Sequence, residues 1–551
     1  MNFKKIFAGA TICMLFTLAL TACSDIVYPP RGIDPDTIGT ETLAPPPPAL
    51  EPIEDRYRLL RYDITPTPFE YLYDFNEPYL ISAHGGEREF SVTLELNAPQ
   101  HYRIGINTRA PAGSPIIQLS SRDEIFGVFF VEGLYALEEE SGEYFMSPIY
   151  LPEGETTLTF TALRGAVAID SIIANDVLSI PNSRFANTQS LITPSPSAEA
   201  SELLAFLNSI YGSRVLTSQR VSTGTNAEIE ALYTATFRKP AVRFGELRTA
   251  TIISNEFETE FGAFQTEKDL ALDWHQKGGI VGYSWTWDSP CGSDSAFADD
   301  STFSLTAALV GAEESGAVML DLDFVQTLTE TEEITPELIL LIRDIDKIAE
   351  VFNRFRDAGV PVLFNPLPDA GSGLYWWSEN AESYLRLWQF MYTRLVNFHG
   401  LNNLVWVWSG GSHQFYPGDN RVDIIAESMF GVLNRNVDSG NLNTLETAHS
   451  SMNTGSVRFS QTADYNNLTN SDSTTENFAM VVRSEGIPSP DALVRDNAMW
   501  LIWGLERGGF AINENGEILP ELLNALDQFY NHEITITLDQ LSELLSYSQT
   551  T

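Results

Sequence analysis

From about residue 56 to residue 180 the chain alternates apolar and polar residues with a period of two, as in Glu89-Phe90-Ser91-Val92-Thr93-Leu94-Glu95-Leu96 and Thr156-Thr157-Leu158-Thr159-Phe160-Thr161-Ala162-Leu163. Alternation of this kind, broken by Gly, Pro and Asn, predicts half-buried antiparallel strands and, for the segment as a whole, a β-sandwich. From residue 186 to residue 535 the pattern changes. Continuous apolar runs such as Gly278-Gly279-Ile280-Val281-Gly282-Tyr283-Ser284-Trp285, Val360-Pro361-Val362-Leu363-Phe364, Asn403-Leu404-Val405-Trp406-Val407-Trp408 and Phe478-Ala479-Met480-Val481-Val482 read as strands buried on both faces. Helical patterns lie between them. The clearest opens at Thr335-Pro336-Glu337, a capping residue with proline at the first helical position, and places Leu338, Leu341, Ile342, Ile345, Ile348, Phe352 and Phe355 three and four apart. Strand and helix alternating over this whole span predict an α/β fold, a (β/α)₈ TIM barrel preceded by the sandwich, with an open doubly wound sheet as the alternative. Residues 536–551 read as a C-terminal tail.

The first residues change the picture of where the chain works. Lys4 and Lys5, the apolar run Ile6 to Leu20 and the closing Leu20-Thr21-Ala22-Cys23 predict a signal peptide over residues 1–22. The closing tetrapeptide resembles the site at which bacterial lipoproteins are cut and lipidated, which makes Cys23 the expected lipid-bearing residue. Residues 23–55, with Pro45-Pro46-Pro47-Pro48, read as an extended tether. No later stretch has the length and apolarity of a membrane helix, so the expected product is exported and held to a bacterial membrane or cell surface by lipid alone. A net charge of −42, from 74 acidic against 32 basic residues, argues against nucleic acid, which a polyanion repels. With Cys13 in the leader and Cys23 at the lipidation site, too few cysteines remain for a disulfide framework or a cysteine zinc site.

In a barrel of this kind chemistry collects at the C-terminal ends of the strands, so polar and aromatic residues just after each apolar run are the candidates. Ser284-Trp285-Thr286-Trp287-Asp288 offers two indoles. Asn365-Pro366-Leu367-Pro368-Asp369 leads into Tyr375-Trp376-Trp377, a carboxylate beside an aromatic cluster. Trp408 is followed by Tyr416-Pro417-Gly418-Asp419 and by Asp423, and Ser484-Glu485-Gly486 puts a glutamate at the end of a late strand. Aromatic faces suit sugars, and two carboxylates facing each other across one mouth are what glycoside hydrolysis requires. Each feature taken singly has a plainer alternative: core tryptophan, loop or capping aspartate, surface glutamate.

The ordered series of motifs resembles glycoside hydrolase family 26, the family of β-mannanases and some related β-glycanases, over Ser201 to Phe510. Tyr211-Gly212-Ser213-Arg214-Val215-Leu216-Thr217-Ser218-Gln219 and Pro240-Ala241-Val242-Arg243-Phe244-Gly245 are similar to its opening strands, and the tryptophan motifs and Ser484-Glu485-Gly486 follow in order. The resemblance implies retaining hydrolysis of mannan or a related β-glycan. Glu485 would be the nucleophile, Asp369 the acid/base and Trp285, Trp287, Tyr375, Trp376, Trp377 and Trp408 the substrate-binding set, with no metal or organic cofactor. Residues Leu151 to Phe160 and Val167 to Ile172 resemble the last strands of carbohydrate-binding module family 35, which implies a sugar-binding sandwich.

The chain also departs from the family pattern. Asn365-Pro366-Leu367-Pro368-Asp369 stands where the family has Arg-Pro-Leu-His-Glu, Thr286 where it has histidine, and Phe430 where it has tyrosine. These departures leave a second expectation open, a glycan-binding protein that hydrolyses poorly or not at all, and a more remote third, a surface protein that binds no sugar. A retaining pair should lie about 5–5.5 Å apart.

Overall fold

The computed structural model describes residues 70–83, 86–96, 99–109, 115–121, 124–130, 142–145, 149–177, 190–251, 258–292, 295–330, 333–410, 413–428, 458–459, 465, 468, 478–483, 487–520 and 522–545. The expected signal peptide and tether, with Cys23, and also Phe430 and Glu485, lie outside the described residues.

The period-two segment forms nine strands: β1 (Glu70–Ser82), β2 (Glu89–Leu96), β3 (Gln100–Arg109), β4 (Ile116–Ser121), β5 (Glu124–Phe130), β6 (Gly142–Phe145), β7 (Ile149–Leu151), β8 (Gly154–Arg164) and β9 (Ala166–Val177). One sheet runs β1-β9-β3-β6, with β7 also on β3, and the other runs β5-β4-β8-β2. Alternation decides the faces. Phe90, Val92 and Leu94 on β2 and Leu158 and Phe160 on β8 enter a core shared by both sheets. On the opposite face Ser91 pairs with Thr159 at 2.8 Å and Thr93 with Thr157 at 3.0 Å. The sandwich is as expected.

The second segment closes a barrel. Its parallel strands are β10 (Val215–Arg220), β11 (Val242–Glu246), β12 (Ile280–Trp285), β13 (Val362–Pro366), β14 (Leu404–Trp408) and β15 (Ile424–Ser428). After the short β16 (Arg458–Phe459), which pairs with β5 of the sandwich, come β17 (Phe478–Arg483) and β18 (Ile502–Leu505). Neighbours pair in that order, and β10 pairs with both β11 and β18, so the eight strands form a ring. Closure removes the open doubly wound sheet. Buried on both faces, β11 to β14 have no exposed residue, which is why they read as apolar runs.

The helix Pro336–Asp357 buries every apolar position named from sequence. Its Thr335 does not cap the helix: the hydroxyl donates instead to Ala308 O at 3.0 Å. The expected tail is in part folded. β19 (Thr535–Ile536) pairs with the start of β10, and Leu541 of the helix Leu538–Leu545 is buried. A short helix following a two-residue strand carries too little periodicity to register in a sequence scan.

The sandwich meets the helix Pro490–Arg495, which follows the seventh barrel strand. The Arg495 guanidinium lies 4.3 Å over the Tyr150 ring, and His101 Nε2 is 3.5 Å from Asp496, at the end of the helix Pro490–Arg495.

Candidate active site

Counted round the ring, β13 is the fourth strand and β17 the seventh. Asp369 follows the fourth, and residue 485 comes two positions after the end of the seventh. Asp369 is 3% exposed. The turn that carries it is unusual, because both Leu367 (φ 51°) and Asp369 (φ 54°) sit in the left-handed region, a conformation uncommon outside glycine and tolerated best by Asn and Asp.

Hydrogen bonds to the neighbouring strand ends hold that turn. Leu367 N donates to Trp285 O at 3.2 Å, Asp369 N to Ser409 O at 2.8 Å and Gly371 N to Gly410 O at 2.7 Å. Trp377 Nε1 donates to Pro368 O at 3.1 Å, and Ser409 Oγ lies 3.1 Å from both Nδ2 and Oδ1 of Asn365. Glycine is needed at 410, since a Cβ there would lie 2.5 Å from the Trp408 indole.

On the opposite side the ends of β10, β11, β12 and β18 meet in a charged lattice that sequence reading did not single out. Arg220 donates to Glu506 at 2.8 Å and to Glu246 at 3.3 Å. Glu246 Oε1 also accepts the backbone N–H groups of Leu247, Arg248 and Thr286, and its Oε2 accepts the Thr286 hydroxyl at 3.1 Å. Arg507 lies 3.5 Å from Glu246, and the Arg248 guanidinium holds Asp288. Burial disfavours the charge on Arg220, but Glu506 and Glu246 outweigh it and hold its pKa above the ordinary value. Asp369 adds to that field, which places the two sides of the mouth within electrostatic reach of each other. Arg220 and Glu246 are the last residues of β10 and β11 and Glu506 follows β18, but the first two strands carry polar residues and do not read as apolar runs, which is why a search after apolar runs passed them over.

The six aromatic candidates do gather at this mouth, but they face one another. Trp285 stacks on Trp287 with centroids 4.1 Å apart, Tyr375 lies between Trp377 at 4.4 Å and Phe297 at 5.6 Å, and Trp376 meets Trp287 and Trp377 edge to face. Trp408 meets Tyr416 edge on at 4.9 Å. All six are buried. Four of their indole N–H groups are spent inside the protein, Trp376 on Trp287 O, Trp377 on Pro368 O, Trp408 on Phe415 O and Trp287 on the Asp344 carboxylate, while that of Trp285 is buried without a hydrogen-bond partner. In this structure they form a packed aromatic wall, clearest for Tyr375, which is sandwiched on both faces. The physical reason is that aromatics brought to one rim gain more from edge and face contacts with each other than from exposure. Burial and the nearby Asp369 carboxylate push the Tyr375 and Tyr384 phenols far up, so both stay neutral donors. Among the described residues no group of three or more His, Cys, Asp or Glu is placed to hold a metal ion.

The family model described as glycosyl hydrolase family 26 matches residues 192–449. A mannan endo-1,4-beta-mannosidase of Thermothelomyces thermophilus is 30% identical over 404 residues, covering 71% of each chain. The mannan endo-1,4-beta-mannosidase B of Piromyces sp is 25% identical over 469 residues, which is 82% of this chain and 71% of that one. Among solved structures, that of the Podospora anserina GH26-CBM35 beta-(1,4)-mannanase shares the fold with a TM-score of 0.52 at 23% identity, covering 87% of this chain and 97% of that chain.

Proposed function

The chain belongs to glycosyl hydrolase family 26, and from that premise we propose that it cleaves β-1,4-mannan or a closely related β-glycan with retention of configuration. Asp369 protonates the glycosidic oxygen as the Glu485 carboxylate attacks the anomeric carbon, so that the C–O bond to the leaving sugar breaks and a glycosyl ester on Glu485 forms. Asp369, now a carboxylate, takes a proton from water, whose oxygen displaces Glu485 and regenerates both groups.

One observation carries the reading: an aspartate follows the fourth barrel strand in a buried, tightly held turn, in a chain whose glutamate follows the seventh. The aromatic wall bounds the pocket at the reacting sugar, and the lattice around Arg220 and Glu246 borders it on the other side. Cys23 anchors the protein by lipid at the cell surface, the tether sets its reach, and the sandwich holds the same polysaccharide near the mouth. The near-complete burial of Asp369 and the departures at positions 286, 365 and 368 favour the second reading, a surface protein that captures glycan without cutting it.

Incubation of the full chain with mannan and glucomannan decides between them. Release of reducing ends, with the β anomer appearing first by proton NMR and a loss of about 10²–10⁴-fold in Asp369→Asn, supports the hydrolase. Retardation in mannan gels without any release by the wild type overturns it in favour of capture.

A further inference from the structure

The turn Leu367–Asp369 combines features that stability alone does not call for. Two residues with side chains, three positions long end to end, occupy the left-handed region, at a cost of about 1–2 kcal/mol each. Asp369 is among the few side chains that tolerate that region, whereas Leu367 is not, and Leu367 is fully buried. Strain of this kind persists only where surrounding contacts over-determine it.

Those contacts come from two neighbouring strand ends and from the aromatic segment that follows the turn. β12 supplies Trp285 O to Leu367 N, β14 supplies the backbone oxygens of Ser409 and Gly410, and the Tyr375-Trp376-Trp377 segment supplies an indole N–H to Pro368 O. Within β13 itself the Asn365 side chain is buried against the Ser409 hydroxyl, which ties the end of the fourth strand to that of the fifth just before the turn begins. Asn365 and Trp377 bracket Asp369 in the chain and hold the backbone on either side of it. Asn365 acts through Ser409, whose backbone oxygen accepts from Asp369 N, and Trp377 acts through the backbone oxygen of Pro368, the residue before Asp369.

We infer that Asn365, with its Ser409 partner, and Trp377 are positioning residues that hold the left-handed turn and so aim the Asp369 carboxyl at the glycosidic oxygen. The inference rests on the acid/base role given to Asp369 above. A shortfall of about 1 Å at a proton donor is enough to cost on the order of 10²-fold, and a strained turn that loses a tie relaxes by that kind of distance. Loss of aim has a signature that loss of folding lacks. Protonation matters only for a poor leaving group, and base assistance matters only when water is the acceptor.

The test compares Asn365→Ala and Trp377→Phe with Asp369→Asn in the full chain, on mannan and on 2,4-dinitrophenyl β-mannobioside, whose leaving group needs no proton. For the two positioning variants kcat/KM on mannan should fall about 10- to 100-fold. On the aryl substrate kcat/KM should stay within about 2-fold, and azide, a nucleophile that needs no base, should restore kcat. Asp369→Asn should show the same split more strongly. If Asp369→Asn loses activity on both substrates alike, the acid/base reading itself fails. If Asp369→Asn shows the split while Asn365→Ala and Trp377→Phe lose activity on both substrates equally, or on neither, the inference is overturned and the acid/base reading stands. Trp377 is fully buried, so thermal unfolding accompanies each variant; should Trp377→Phe not fold, the leaving-group split in Asn365→Ala decides alone.

Discussion

The two sides of the barrel mouth are fixed by different means. Where β10, β11, β12 and β18 end, side chains hold one another: Glu246 and Glu506 share Arg220, and Glu246 also gathers three backbone N–H groups. Where β13 and β14 end, the backbone itself is held, by the oxygens of Trp285, Ser409 and Gly410 and by the Trp377 indole. The difference has an energetic meaning. Charged groups taken out of water gain only if every partner is present, so the first side is costly to break at any one member. The second side stores strain and would relax if its side chain were simplified.

Glu246→Ala attacks the first side at its centre. It leaves Arg220 without one of its two carboxylates and strips the N–H groups of Leu247, Arg248 and Thr286 of their acceptor. Denaturant unfolding should show a loss of about 3–5 kcal/mol, and a loss under about 1 kcal/mol would mean that the lattice does not hold this side.

Asp423 sharpens the contrast, because its carboxylate accepts two backbone N–H groups, from Ile192 at 2.9 Å and Trp406 at 2.8 Å, in complete burial. Burial raises its pKa more than those donors lower it, and it is pushed up to about 7. The folded value therefore lies above the unfolded one, so its contribution to stability is full below about pH 4 and is lost as pH rises through 7. Between pH 5 and pH 8 the wild type should lose on the order of 2 kcal/mol that Asp423→Asn does not lose, whatever constant offset the substitution brings. Parallel stability profiles for the two proteins would contradict this.

The smallest effect has the opposite sign. Asp369→Gly frees the left-handed position and should stabilise the barrel by about 1 kcal/mol while abolishing mannan hydrolysis. A loss of stability would show that Asp369 carries no backbone strain in this turn.

Much of this molecule was legible in its amino-acid order. The period of two gave the sandwich, the apolar runs gave strands buried on both faces, and helical spacing gave the long helix Pro336–Asp357 position by position. Asp369 was found because it directly follows such a run. The aromatic residues were found too, but not their packing on one another, since composition near a strand end does not say whether a ring meets sugar or another ring. Arg220 and Glu506 stand 286 positions apart and Arg220 and Glu246 stand 26 apart, so no local pattern links them.

What the sequence determined by itself is the kind of element each segment forms, because the side-chain periods of strand and helix are local and survive without knowledge of neighbours. What only the tertiary structure decided is which strand ends touch. Closing the ring brings the first strand against the eighth, and with it the lattice around Arg220, while the fourth and fifth meet over a turn whose left-handed residues nothing in the sequence announces.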